Sequence, residues 1–269
     1  MKQDNVQFLK DRLFFLGFGD NLHANLEKKI KEGPDKFTLT MQGEFSQGDK
    51  KKVVDYTLDF SKSKKEDMYF VNNYTAKLKG ENPEQDKSQK FFLNNGLGVT
   101  AKEAFNLLEG RAVYKTKLIN KEGNEYNAWL QLNFKEKDKH ENHKVKLYSD
   151  AWKYDVDKAV SRMPVKDLES AEQKEKIIKS LEKGNLTPVT LKQAGSEEKA
   201  FLESNPKDRN VILYDANMRK QFQGIREYNS ERKGIKEGKE ESSSQQQKPQ
   251  RKEDDEPPTR KSKGRKMSV

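Results

Sequence analysis

Three times along the chain the spacing of apolar residues switches from a helical period to a strand-like alternation, each time across a glycine. The segments are NLEKKIKEGPDKFTL (Asn25 to Leu39), FNLLEGRAVYKTKL (Phe105 to Leu118) and IKSLEKGNLTPVTL (Ile178 to Leu191). In each, a short amphipathic helix pattern stops at Gly33, Gly110 or Gly184, and apolar and polar residues then alternate. The glycines lie 77 (110 − 33) and 74 (184 − 110) residues apart, which points to one repeated supersecondary unit.

Between these cassettes the pattern predicts the remaining elements. Val6, Leu9, Leu13 and Leu16 follow helical spacing up to the Gly17–Gly19 break, and Asp20 is placed to cap a second helix carrying Leu22, Leu26 and Ile30. Phe37, Leu39, Met41 and Phe45, then Val54, Tyr56, Leu58 and Phe60, alternate with polar residues around a Gln47–Lys50 loop, the signature of a half-buried hairpin. A third strand is expected over 68–78 and a short one over 90–93. Thr100 and Glu103 have capping-box spacing ahead of Ala101, Ala104, Phe105 and Leu108. Strands are expected at Arg111–Ile119, Glu125–Phe134 and near Val145–Tyr148. A short helix over Tyr154–Arg162 and a Ser170-capped helix with Ile177, Ile178 and Leu181 follow, then strands near Leu186–Lys192, Lys199–Glu203 and Asn210–Tyr214. The predicted fold class is α+β: serial helix-then-antiparallel-meander units (1–98, 99–165 and 166–227) with helices on one face of the sheets.

Composition changes the picture at one end. Hydrophobic residues are 32% of the chain and charged residues 36%, and the polar surplus is concentrated after Tyr228. That stretch (228–269) has too little apolar surface to offset backbone ordering, so a disordered tail is expected there. Its last ten residues carry Arg260, Lys261, Lys263, Arg265 and Lys266 and no acid. The net charge is +10, which suits DNA, RNA, an acidic protein or simple solubility.

Candidate chemistry is mostly absent. Without Cys there is no thiolate nucleophile, disulfide or thiolate metal site. HENH (His140–His143) is one residue short of a metalloprotease HExxH, because Lys144 stands where the second His belongs. Gly96 and Gly98 lack the third glycine of a dinucleotide fingerprint, and Asp155 and Asp157 lack the ligand series of a calcium loop. No cofactor, no metal and no enzymatic activity are expected. The N-terminus does not read as a signal peptide and no apolar run is long enough to span a membrane, so a cytoplasmic location is expected.

One surface invites a ligand. With NKEGN as a five-residue loop, Ile119 opposes Glu125, and Leu118, Thr116, Tyr114 and Ala112 oppose Tyr126, Ala128, Leu130 and Leu132 on a core face. The other face then collects Arg111, Lys115, Lys117, Asn127, Trp129, Gln131 and Asn133. Trp129 is positioned there to stack a base, the cations to meet phosphates and the amides to bond base edges. The same pattern is met by a Trp129 packed under a helix or held by Lys115. The expected function is non-enzymatic binding of nucleic acid through this face and the basic tail, with a protein-interaction scaffold as the alternative.

The segments MYFVNNYTAKLK, GLGVTAKEAFNLLEGRAVYK, EYNAWLQLNF, PVKDLESAEQKEKIIKSLEKGN and NVILYD resemble a Bacteroidetes family, a domain of unknown function associated with conjugative transposons. The resemblance covers about Phe8 to Lys220. It implies a mobile-element context, a cytoplasmic bacterial protein and, by association, a role in DNA transfer or element maintenance; the scaffold alternative would serve a partner encoded on the same element, and the resemblance brings no catalytic residues.

Overall fold

In the computed structural model, which describes residues 3–47, 50–93, 98–193 and 196–221, all three glycines end a helix and open a sheet. Helix α1 (Gln3–Leu13) runs into a π-type turn at Phe14–Phe18, and α2 (His23–Glu32) follows. Asp20 does not cap α2 through its side chain as predicted; its carbonyl accepts from the His23 N–H instead. The first sheet is the meander β1 (Lys36–Gln47), β2 (Lys50–Lys62), β3 (Tyr69–Leu78) and β4 (Lys87–Phe92). Phe37 pairs with Phe60 and Leu39 with Leu58, so the two apolar faces coincide as the alternation predicts.

Helix α3 (Ala101–Leu108) leads into β5 (Val113–Ile119), β6 (Glu125–Lys137) and β7 (His143–Ser149). Thr100 and Glu103 form the predicted capping box, each side chain bonded to the other's backbone N–H. Two further helices, α4 (Val156–Val160) and α5 (Ala171–Glu182), precede a sheet of β8 (Thr187–Gln193), β9 (Ser196–Asn205), β10 (Asn210–Asp215) and β11 (Lys220–Gln221). Asp155 and Ser170 cap α4 and α5. These are α+β units of helix followed by antiparallel meander. No helix among the described residues is long and apolar enough to cross a membrane.

Among the described residues the buried apolar side chains gather in two cores that cut across the three serial units. Helices α1, α2 and α3 all bury their apolar stripes against the first sheet, around Leu9, Leu13, Leu26, Tyr56, Leu58, Tyr74 and Phe105. Tyr56 and Tyr74 bury their hydroxyls here by donating to the Ala101 and Val99 carbonyls, at 2.8 and 2.7 Å. A second core gathers α4, α5 and the last sheet around Val160, Leu181, Ala200 and Leu202. The β5–β6–β7 sheet lies between them. Val113 and Leu132 belong to the first core, while Ala112, Trp129 and Tyr148 belong to the second. A strand buried on both faces need not alternate, so the middle cassette is a bridge rather than a unit with its own core. All described residues fall in one compact unit, Met1–Arg226. The predicted tail, 228–269, lies outside the described residues.

The seam between the cores is polar. Asn106 on α3 is fully buried and donates to the Lys183 carbonyl and to Asn185 Oδ1, at 2.7 and 2.9 Å. It thereby takes up an orphan carbonyl at the C-terminus of α5. Arg111, 4% exposed, donates from Nε to the Gly184 carbonyl at 2.9 Å and from Nη2 to Asn106 Oδ1 at 2.7 Å. Gly184 combines a φ of +75° with close approach: a Cβ there would sit 2.7 Å from the Ala112 carbonyl oxygen. Gly33, also at +75°, has open space around it. Gly33→Ala should therefore cost only the left-handed strain of roughly 1–2 kcal/mol, and Gly184→Ala about 2–3 kcal/mol more from overpacking. Paired urea titrations of the two variants check the difference; equal losses would mean that the seam yields freely.

Candidate interaction site

The predicted basic face is dismantled by a bulge in β5 and by the second core, which takes in Trp129. Ile119 pairs with Glu125 and Leu118 with Tyr126 as expected, but beyond Lys115–Leu118 the ladder shifts by one residue. Lys115 then pairs with Ala128, Tyr114 with Trp129 and Val113 with Leu130. Lys117 occupies the bulge at φ +55°, and its N–H donates to Asn127 Oδ1 at 3.1 Å. An extra residue on one strand inverts which of its side chains share a face with the partner strand. The alternation of β6 is as predicted and that of β5 is not.

Each member of the proposed face is therefore placed differently. Trp129 is 4% exposed, inside the second core, with its ring 5.3 Å from that of Tyr114 and 5.1 Å from that of Tyr154. No stacking platform exists there, because packing the indole removes a large apolar area from water. Arg111 is locked in the seam. Lys115 forms an ion pair with Glu103 at 3.0 Å and donates to the Gly98 carbonyl at 3.2 Å, so it neutralises the capping carboxylate of α3. Gln131 donates to the Gly110 carbonyl at 2.9 Å, Asn133 to Glu136 at 2.9 Å and Asn127 to Asp150 at 3.4 Å. Of the seven, only Lys117 stands exposed on its own. Arg260, Lys261, Lys263, Arg265 and Lys266 lie outside the described residues.

A different surface is displayed by α1 and its π-type turn. Leu9 and Leu13 are fully buried, and Asn5 bonds both backbone groups of Tyr69, donating at 3.0 Å and accepting at 2.9 Å. Phe18 closes the turn by inserting edge-on between Tyr56 and Tyr74, at 5.4 and 5.2 Å. With the helix pinned at both ends, Phe8, Phe14 and Phe15 are left 52%, 61% and 80% exposed. Phe14 and Phe15 contact edge to face at 6.0 Å. Phe8, Asp11, Arg12 and Phe15 recur at i, i+3, i+4 and i+7, so they line one stripe. That stripe walls a groove of about 420 Å³ floored by Leu16, Gly98 and Thr100. Arg12 is steadied by donating to the Leu93 carbonyl at 2.7 Å. Helical periodicity marks the buried side of this helix through Val6, Leu9, Leu13 and Leu16, and the phenylalanines on its other side do not stand out against that stripe.

A second opening of about 920 Å³ lies between β4 and the β6–β7 hairpin. Phe92 and Phe134 are exposed at its walls. Lys87 Nζ lies 4.6 Å from the Phe134 ring centre, and Lys90 and Lys137 are held by Asp59 and Glu141. Burial, then Lys137 and Lys87, push the His143 imidazole below its ordinary pKa. The acids Glu84, Asp86 and Glu141 balance the three lysines along this wall. Among the described residues no group of three His, Asp or Glu side chains is placed to hold a metal.

No protein-family model, curated protein or solved structure matches the chain.

Trp129 should behave as a core residue. Trp129→Ala is expected to cost about 3–5 kcal/mol of stability, read by chemical denaturation. A loss below about 1 kcal/mol would mean that the indole is not packed.

Proposed function

We propose that this chain is a non-enzymatic binding protein that docks a partner protein on the Phe8–Phe14–Phe15 surface. The observation that carries the reading is the exposure of Phe8 and Phe15 along one groove, with Phe14 edge to face against Phe15, beside a helix whose inward face is packed. A contiguous apolar patch of this kind is a mark of protein association, and aromatic anchors dominate such interfaces. Asp11 and Arg12 on the same stripe give the groove one charge of each sign, which fits the apolar ridge of a helical or extended segment flanked by a cation for Asp11. The family resemblance supports a partner encoded on the same mobile element. A photo-crosslinking residue at position 15 would capture the partner for purification. Phe14→Ser combined with Phe15→Ser should then weaken its binding by about 30-fold or more while Tm stays put. Undiminished binding by the double variant would remove the groove from consideration.

Nucleic-acid binding has a narrower support, the exposed Phe92 and Phe134 beside Lys87, Lys90 and Lys137 in the larger opening. Aromatics among lysines are the parts a single-strand groove uses. On this reading, affinity for single-stranded DNA or RNA falls steeply with salt, and Phe92→Ala costs about 1–3 kcal/mol of binding. Fluorescence anisotropy across a salt series tests both, and a flat response at low salt rejects the reading.

A further inference from the structure

The seam between the two cores holds a cation with no carboxylate partner among the described residues. Lys102, on the first turn of α3, is half-buried, yet no carboxylate or hydrogen-bond acceptor reaches its ammonium group among the described residues. Its Nζ rests against the rings of Phe45 and Phe105, 4.7 and 4.8 Å from their centres. Those rings are themselves stacked at 4.6 Å, so the ammonium is fixed in place. The buried Arg111 guanidinium lies against the same Phe105 ring, at 5.2 Å.

Both cations line a pocket of about 270 Å³, together with Ser46, Asn106, Ser180 and Asn185. Arg111 has its Nε and Nη2 engaged in the seam, while its Nη1 has no carboxylate nearer than Glu109 at 4.0 Å. Ser180 Oγ accepts from Asn185 Nδ2 at 3.3 Å and shares a hydrogen bond with the Thr187 hydroxyl at 2.9 Å. Glu109 is shared with Lys52 at 3.9 Å, and Glu203, held by Tyr214 at 2.8 Å, has its carboxyl pKa pushed up by burial. Two cations thus face a space whose nearest acids are already engaged. Burial and the neighbouring Arg111 also lower the Lys102 pKa, so its charge is uncomfortable without a counter-ion.

We propose that this pocket, lined by Lys102, Arg111, Asn185 and Ser180 between α3 and the end of α5, binds a small phosphate-bearing anion. Two adjacent cations, with the second amide N–H of Asn185 beside them, suit a dianion better than a single carboxylate. The volume is below the roughly 300–1,000 Å³ of pockets for drug-sized ligands, so the site takes a phosphate group with few attached atoms. The phosphate arrives free or as the end of a small monoester, and comparison of inorganic phosphate with glycerol 3-phosphate separates the two sources.

The test is thermal unfolding of the full chain at low ionic strength with each of these probes, and with acetate and chloride as references. A ligand at about ten times its Kd should raise Tm by ~3–5 °C. Lys102→Met and Lys102→Gln should each abolish that rise, whereas Lys146→Met, on the β7 strand away from the pocket, should retain it. Isothermal titration on the same variants should show at least a tenfold loss of affinity with either Lys102 substitution. No Tm rise with either phosphate probe, the same rise with acetate, or an undiminished rise in both Lys102 variants would overturn the proposal.

Discussion

The molecule depends on a buried guanidinium that joins two helix ends. Arg111 and Asn106 satisfy the carbonyls of Lys183 and Gly184 just beyond the last turn of α5, using side chains from the last turn of α3 and the residues after it. Removing one partner from such a network leaves a buried polar group exposed to nothing. The positions of both α3 and α5 are therefore set by hydrogen bonds rather than by shape alone. Gly184 is part of the same constraint, since only a residue without a Cβ lets the backbone of Ala112 come so near. The glycine that marks the repeat in the sequence is thus also the point at which two repeats touch.

Much of the secondary structure was legible because local chemistry determines it. The helix stops at Gly33, Gly110 and Gly184, the Thr100 capping box and the Ser170 cap are short-range signals, and each stands where the pattern places it. The first hairpin was equally readable, because one of its faces is buried and the other is wet. What the pattern did not carry was the partnership of the middle sheet. Arg111, Lys115 and Trp129 read as a surface because polarity and alternation normally separate inside from outside. Here both sides are inside for much of the sheet, and a bulge at Lys117 reverses the parity of β5 with no glycine or proline to announce it.

The candidate site lies elsewhere for a related reason. Most polar side chains of the expected basic face are engaged by the fold: Lys115 by Glu103, Arg111 by α5, and Asn127 by Asp150. Exposed apolar side chains are what the fold leaves over. Phe8, Phe14 and Phe15 sit beside a helix whose inward face already contacts β3 and whose turn is nailed by Phe18. Sequence periodicity reports the residues that a chain needs for its own folding and is silent on those it holds out to others.

Neighbouring residues Ala112 and Val113 lie in different hydrophobic interiors. A backbone segment cannot let go of one interior while remaining seated in the other, since the two attachments are one peptide bond apart. Heating such a molecule loosens both halves together, so calorimetry of this part of the chain would trace one cooperative peak where its two separate interiors would suggest a pair.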